Sequence, residues 1–294
     1  MKSQWESFLQ NLGEWRGTFT RFSPQGELLG ETPTVISFES LNNNQSVRQI
    51  VRHYAAGVET RSKASLEGIA PVEEKVLEYG SVGGGLLFFE QGAFSQGSIQ
   101  FGPFSEFGAE LGFIETAEGA PGNRRLRLVQ LFNKNSQLDQ LTLIREQRTG
   151  THPAKNPPLR LEDLIGDWQG EAMTLYRDLR NPDTFPTHLK LTLDNRRLVQ
   201  QLAYGETGSR HMMTSTATIE GSVLNFDQGS QRIQVVLLPE GASSTSPVEI
   251  KLREPFFLEA GWLIQPHLRQ RMIRSYNSKG EWVSLTLVTE QKVS

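Results

Sequence analysis

The sequence predicts an all-β protein with two antiparallel β-barrels in tandem, each preceded by a short helix. Three observations support this fold class. A Gly-x-Trp-x-Gly motif occurs twice, further matches follow both copies in the same order, and segments between them alternate apolar and polar residues. The chain has 294 residues, which exceeds the roughly 100–200 residues typical of one domain and favours two.

The internal repeat begins with Leu-Gly-Glu-Trp-Arg-Gly at 12–17, which returns as Ile-Gly-Asp-Trp-Gln-Gly at 165–170. Three later pairs keep the same order: 89–92 with 226–229, 110–114 with 259–263, and 127–148 aligned without gaps to 271–292. Self-similarity in a fixed order indicates repeated structural units. We therefore expect an N-terminal barrel at 1–150, a Pro-rich linker at 151–158 and a C-terminal barrel at 159–294.

Each copy starts with a predicted short helix. Apolar residues stand at helical spacing at positions 5, 8, 9 and 12 in the first copy and at 161, 164 and 165 in the second. Period-two alternation at 189–194 and 284–289 predicts strands, and 133–136 and 277–280 suit hairpin turns. A Ser/Thr cluster at 243–246 is expected at a loop tip. Short strands without a long amphipathic helix are typical of a barrel or sandwich.

Composition excludes several classes of function. The chain has 30 Lys+Arg against 33 Asp+Glu, a net charge of −3, and no Cys. Without Cys there are no disulfides, thiolate metal sites or Cys nucleophiles, and the slight acidity argues against a nucleic-acid partner. No segment approaches the roughly 20 apolar residues of a membrane span, and no secretory signal is evident. We expect a cytoplasmic protein, with a monomer as the default state.

The repeated tryptophans suggest how each barrel closes. A Trp at the start of a first strand can plug the end under the helix, so Trp15 and Trp168 are predicted core plugs, with cavity lining as the alternative. A cation on each indole face would add about 1 kcal/mol. The repeat favours Arg127 and Arg271 for this role, with Arg145 as a rival. The arrangement resembles the calycin superfamily, which includes lipocalins and fatty-acid-binding proteins, and this resemblance implies lipocalin-like barrels.

Other aromatic residues are candidates for core or pocket. Trp262 and Trp282 could join Trp168 in a three-tryptophan cluster in the second copy, where the first copy has Phe113 and Leu138. Core packing is the favoured interpretation, and lining of a ligand pocket is the alternative.

The repeated carboxylates do not predict catalysis. Glu110 and Glu146 of the first copy recur as Glu259 and Glu290. An acid–base pair needs two carboxyl groups in one cleft with separated pKa values. One glutamate repeated in each copy instead suggests pairing with the repeated arginine. No Gly-x-Ser-x-Gly nucleophile motif occurs.

Histidines and basic runs give no strong functional signal. The chain has five histidines, namely His53, His152, His188, His211 and His267. None has metal-ligand spacing, and although the first and fourth of these could face a lumen and ligate haem, ordinary polar roles are expected. The basic runs 124–127 and 269–271 are interpreted as solvated strand faces with one Arg turned inward, or alternatively as docking sites for an acidic protein.

Gly83-Gly84-Gly85 resembles a phosphate-binding loop only superficially. Neither Lys-[Ser/Thr] nor a helix pattern follows it. A hairpin or a barrel corner is the expected structure.

The whole chain resembles a cyanobacterial family of uncharacterised two-barrel proteins, in which each barrel opens with Gly-[Glu/Asp]-Trp-x-Gly and a His-Pro linker joins them. That family is similar to the chloroplast ATP-synthase biogenesis factor. The resemblance implies a non-enzymatic assembly factor that binds the β and γ subunits of the ATP synthase head. The residues themselves predict no metal and no cofactor other than a possible small apolar molecule.

Two other functions are alternatives. A barrel could carry or sense a small apolar ligand, such as a bilin or another tetrapyrrole, haem or a fatty acid. Phycobiliprotein lyases are also lipocalin-like, but they normally contain one barrel per chain, so the doubled barrel weakens an enzymatic interpretation.

Overall fold

The computed structural model describes residues 2–60, 62, 64–115, 122–205 and 210–293. The first half contains α1 (Gln4–Phe8) and the strands β1 (Gly13–Phe22), β2 (Leu28–Leu41), β3 (Ser46–His53), β4 (Glu73–Tyr79), β5 (Leu86–Phe88), β6 (Phe94–Gly97), β7 (Phe107–Ile114), β8 (Arg124–Phe132) and β9 (Leu138–Arg148). The second half contains α2 (Leu161–Leu164) and the strands β10 (Gly166–Tyr176), β11 (Asp183–Asp194), β12 (Arg197–Tyr204), β13 (His211–Glu220), β14 (Val223–Phe226), β15 (Ile233–Leu237), β16 (Ala242–Pro247), β17 (Phe256–Gln265), β18 (Leu268–Tyr276) and β19 (Trp282–Lys292). The predicted all-β class with a short helix before each sheet is confirmed.

The two sheets differ in how completely they close. Strands β10 to β19 form a closed antiparallel barrel in which β19 pairs with β10. The first nine strands form one curled sheet in the order β4-β3-β2-β1-β9-β8-β7-β6-β5. Its edge strands β4 and β5 do not pair, so the first barrel is open along one side. We call the two units the open barrel and the closed barrel.

Local sequence explains how each unit begins. Ser3 caps α1 by accepting from the amide of Glu6, whose carboxylate accepts from the amide of Ser3 in return. The second glycine of each Trp motif allows two strands to approach closely. A Cβ on Gly17 would stand 1.8 Å from the carbonyl oxygen of Arg145, and one on Gly170 would stand 2.3 Å from that of Thr289. Only glycine fits where the first strand crosses the last.

The largest apolar cluster of the described residues lies between the barrels. It combines the outer faces of β7 to β9 with those of β16 to β19. Phe107 packs against Tyr276 at 5.1 Å between ring centroids, and Phe101 packs against Phe256 at 5.7 Å. Because both barrels need this shared core, we expect them to behave as one rigid unit.

A buried arginine fixes the junction between the barrels. Arg274 of β18 is fully buried and donates to the hydroxyl of Ser95 and to the carbonyls of Gly85, Gly97 and Ser98 in the open barrel. These bonds join a strand of the closed barrel to the β5–β6 region. Buried polar contacts of this kind set the relative orientation of two packed sheets.

Turn predictions were partly correct. The turns at 133–136 and 277–280 connect β8 to β9 and β18 to β19, as predicted. The Ser/Thr cluster 243–246 was wrongly assigned to a loop tip, since it forms the buried strand β16. Gln130 of β8 donates to the Ser244 hydroxyl at 2.7 Å across the junction, which explains why polar residues are buried there. The triple glycine at 83–85 does not close a hairpin, because the strands on either side of it, β4 and β5, do not pair with each other. It forms a turn into β5, in which the Leu86 amide donates to the Gly83 carbonyl at 3.2 Å.

Candidate functional site

A buried cluster of two arginines and two glutamates lies inside the open barrel. Arg125 and Arg127 project inward from β8 toward Glu146 on β9. Both donate to its carboxylate through Nε and Nη2, at 2.7–3.1 Å. Arg127 also donates from Nη1 to Glu110 on β7 at 2.5 Å. The Glu146 side chain has no exposed surface, so each buried charge depends on its partners.

The closed barrel contains the same cluster. Arg269 and Arg271 of β18 both pair with Glu290 of β19, and Arg271 donates from Nη1 to Glu259 of β17 at 3.3 Å. The prediction that the repeated glutamates pair with a repeated arginine is confirmed. The prediction that one arginine in each basic run turns inward is wrong, because two do so in each barrel.

The tryptophans of the repeated motif lie fully buried at one end of each barrel. The indole N–H of Trp15 donates to the carbonyl of Asn11 at 2.9 Å, and that of Trp168 donates to the carbonyl of Leu164 at 2.8 Å. In both cases the acceptor stands four residues earlier, at the end of the leading helical segment. This shared bond places each indole under its helix.

In the open barrel, the prediction that Arg127 stacks on the indole of Trp15 is wrong. Trp15 lies between Arg125 and Arg148, whose guanidinium carbons are 4.5 and 4.3 Å from the ring centroid. Arg127, the predicted partner, stands over Phe19 at 5.4 Å. Arg127 is two residues along the strand from Arg125, which places it farther from the plugged end.

In the closed barrel, the prediction that Arg271 stacks on the indole of Trp168 is also wrong. Arg269 and Lys292 stand over Trp168 at 5.0 and 5.5 Å from the ring centroid, whereas Arg271 is occupied by its two glutamates. The rival candidate Arg145 lies on the outside of the open barrel, where it bonds to threonines and a glutamate of β1 and β2.

The other two tryptophans do not join Trp168. Trp262 lies at the junction of the barrels, 6.2 Å from Phe113 between ring centroids. Trp282 also belongs to the shared core, where the guanidinium of Arg274 stacks on it at 3.4 Å. The predicted three-tryptophan cluster is therefore wrong, because alternate residues of a strand face opposite sides of the barrel wall.

The glutamates of the two ion clusters differ in the direction of their pKa shifts. Burial alone raises the pKa of Glu146, but the charges and hydrogen bonds of Arg125 and Arg127 outweigh it and lower this pKa to about 2. Glu146 stays ionised across the neutral range and is not placed to exchange a proton there.

In the closed barrel, burial raises the pKa of Glu290, but the charges of Arg269 and Arg271 outweigh it and lower this pKa. For Glu259, burial outweighs the attraction of Arg271, so the pKa of this second glutamate is raised.

The predicted lumen histidines have local partners. His53 meets Phe19 edge-to-face at 5.5 Å and approaches Glu73 at 3.2 Å, and His211 stacks on Tyr204 at 5.3 Å. Within the described ranges, no group of three or more His, Cys, Asp and Glu is arranged to hold a metal ion. The described residues therefore give no observation that favours haem ligation by His53 or His211.

The concave regions formed by the described residues include a cavity inside the open barrel and two grooves. The internal cavity has a volume of about 460 Å³ and lies beside the ion cluster. A groove of about 680 Å³ runs between the linker and both barrels, with Arg16, Arg124 and Lys155 among its lining residues. A third region of about 640 Å³ lies at β6 to β8.

Sequence reasoning missed Arg125, Arg148, Arg269, Lys292 and Arg274. A signal for Arg125 and Arg269 exists, because each lies two residues before a repeated arginine and therefore on the same strand face. A signal for Arg148 and Lys292 exists as well, because they are the last residues of the aligned segments 127–148 and 271–292. Nothing in the sequence distinguishes Arg274, since its partners are backbone carbonyls of the other barrel.

Fold and site together define a class: a two-barrel β protein with a shared core and a neutralised ion cluster inside each barrel. Comparison of the sequence with protein-family models identifies the family within this class. Residues 1–151 match the N-terminal family model of the DUF3598 domain of unknown function, and residues 155–293 match the model named "Biogenesis factor required for ATP synthase 1, C-terminal domain". The chain belongs to the DUF3598 family.

A solved structure supports this membership. A protein of unknown function from the DUF3598 family of Nostoc punctiforme is 55% identical, with a TM-score of 0.88 and complete coverage of both chains. No curated protein matches the sequence.

Two other solved structures match at much lower similarity. An S-type phycobiliprotein lyase from Guillardia theta is 11% identical with a TM-score of 0.35, covering 45% of this chain and 90% of its own. A kievitone hydratase from Nectria haematococca is 9% identical with a TM-score of 0.22, covering 100% and 93% of the two chains.

Proposed function

We propose that this protein is a non-enzymatic assembly factor for ATP synthase and that it binds the β and γ subunits of the F1 head. The match of residues 155–293 to the biogenesis-factor model is the observation that carries the proposal. The match covers nearly all of the closed barrel, so we assign the main subunit contact to that half.

The internal chemistry is compatible with a binding role. The buried glutamates of both clusters are paired with arginines rather than held in an open cleft. The shared core holds the two barrels together, so two contacts on one rigid chain can add avidity. None of the helices in the described ranges has the length and apolar character needed to span a bilayer. We propose a cytoplasmic location, where F1 assembles.

The same reasoning supports two organisational proposals. We propose domains at 1–150 and 159–294, joined by the linker 151–158, because the strands of each sheet lie on one side of that linker and pair with strands of the same sheet. We also propose that the halves arose by duplication. Equivalent ion clusters and equivalent indole-to-helix bonds support this origin.

Affinity purification from a cyanobacterial extract tests the assembly role. The tagged full chain should recover β and γ subunits under mild salt, as identified by mass spectrometry. Two exposed apolar side chains provide matched probes, Phe104 on the open barrel and Met212 on the closed barrel, at 85% and 81% exposure. If the closed barrel makes the main contact, Met212→Asp weakens recovery more than Phe104→Asp. Recovery of neither subunit would contradict the proposal.

A further inference from the structure

We propose that the open barrel binds an amphiphile with one anionic head group and an apolar tail, in the 460 Å³ cavity next to its ion cluster. This volume lies in the range of about 300–1,000 Å³ usual for small-molecule sites. The site is separate from the assembly role, and each proposal can fail without the other.

The walls of the cavity suit an apolar tail. Four phenylalanines contribute, namely Phe8 from α1, Phe38 from β2, Phe88 from β5 and Phe94 from β6. Phe88 lies 5.3 Å from both Phe8 and Phe94 between ring centroids, so these rings form one continuous aromatic surface. Contact between this surface and an alkyl or aromatic group removes apolar area from water, which stabilises the bound state.

Glu110 and Glu146 balance the charge of the cluster as a whole, but the arginines are the members that line the cavity, and they present hydrogen-bond donors to an anion there. Among the described residues that line the cavity, the charged ones are Arg125 and Arg127, and no Asp or Glu joins them. Each Nη of Arg127 makes one hydrogen bond within the described structure, to Glu110 or Glu146, and so keeps a second N–H for a ligand. An arginine held by its own carboxylates is a pre-positioned donor for a further carboxylate or a similar head group.

The incomplete sheet provides the entrance. The cavity lies along the gap between the unpaired edge strands β4 and β5, and Ser81, Val82, Gly83 and Gly85 of the connecting segment form part of its wall. A Cβ on Gly83 would meet no atom within 4 Å. The space beside Gly83 is therefore open, and no described atom blocks the approach of a ligand at that point.

The closed barrel serves as an internal comparison. It has an equivalent ion cluster, but its ten strands form a complete ring without such a gap. Leucines, including Leu189, Leu191 and Leu198, pack around Trp168 in its interior. Because the described strands of the closed barrel leave no such gap and leucines occupy its interior at this place, the ligand site is assigned to the open barrel.

Calorimetric titration of the purified full chain tests the site, with dodecanoate, dodecanol and dodecyltrimethylammonium as probes, each at concentrations where it is dissolved as single molecules. Dodecanoate should bind once per chain and about 10- to 100-fold more tightly than dodecanol, because a hydrogen-bonded charge contributes roughly that factor. The cationic probe should bind most weakly. Equal affinity for dodecanoate and dodecanol would overturn the anion assignment, and no binding of either would overturn the site.

A pair of variants locates the ligand. Val82→Trp places a large side chain into the cavity from its wall and should abolish dodecanoate binding. Val72→Trp is the matched control, since Val72 is 67% exposed and does not line the cavity, so it should bind like the wild type. Unchanged binding by Val82→Trp, or equal loss in both variants, would overturn the location. No ATP synthase subunit is present, so the outcome does not depend on the assembly role.

Discussion

Removal of the Glu146 charge should strongly destabilise the protein. Glu146→Gln keeps the shape of the side chain but leaves Arg125 and Arg127 buried without their shared counter-ion. The remaining carboxylate, Glu110, contacts only the second of these arginines. Breaking a buried ion pair from one side costs about 3–5 kcal/mol.

The pKa gives an independent magnitude. In the folded protein it lies at about 2, against an ordinary value of 4.5. Each tenfold change in proton affinity corresponds to about 1.4 kcal/mol, so this group contributes about 3 kcal/mol at neutral pH. A lowered folded-state pKa stabilises the protein fully above about 4.5, and this contribution is lost as pH falls toward 2.

Urea denaturation followed by tryptophan fluorescence measures this effect. At pH 7 the free energy of unfolding of Glu146→Gln should be about 3–5 kcal/mol below that of the wild type, and this gap should narrow as pH falls from 4.5 to 2. Glu78→Gln is the control, because Glu78 forms an exposed pair with Arg48 and should cost at most about 1 kcal/mol. A Glu146→Gln effect no larger than the control, or a gap unchanged at pH 2, would refute the reasoning.

Three further predictions concern the close strand approach and the shared core. Gly17→Ala should cost about 2 kcal/mol or more by denaturation, because its Cβ would overlap a backbone carbonyl, whereas Gly84→Ala, with open space around it, should stay within about 0.5 kcal/mol. Arg274→Met should cost about 3 kcal/mol because four oxygen atoms of the open barrel lose a charged hydrogen-bond donor, and equal behaviour of the exposed control Arg197→Met would contradict this. The fragment 1–150 expressed alone should aggregate in size-exclusion chromatography because half of the shared core becomes exposed, and a monodisperse monomer would disprove that role of the core.

Sequence periodicity predicted the strands but not which face of them lies inside. In β8, Leu126 and Leu128 alternate with Arg125 and Arg127, and a single barrel would be expected to place the leucines in its lumen. The leucines instead face outward into the shared core, and the arginines face inward. Period-two alternation shows that a strand has one apolar and one polar face. It does not show which of them faces the lumen, because the apolar face can also be buried against a second barrel.

The candidate site was predictable in part. The repetition of Glu146 as Glu290 was enough to predict an ion pair with an arginine. It could not identify the residue that stacks on Trp15, because Arg125 and Arg127 share a strand face and differ only in distance from the plugged end. The open side was not predictable either, since the triple glycine at 83–85 is equally compatible with a turn that would have joined the two edges.

The proposed function depends on binding of this chain to subunits of the ATP synthase head. The most direct measurement is titration of the purified full chain with purified β subunit and, separately, with purified γ subunit, followed by light scattering of the mixtures after size-exclusion chromatography. The account predicts a saturable complex with each subunit. Elution of the chain alone from both mixtures, at low salt and at concentrations above those in cells, would contradict it.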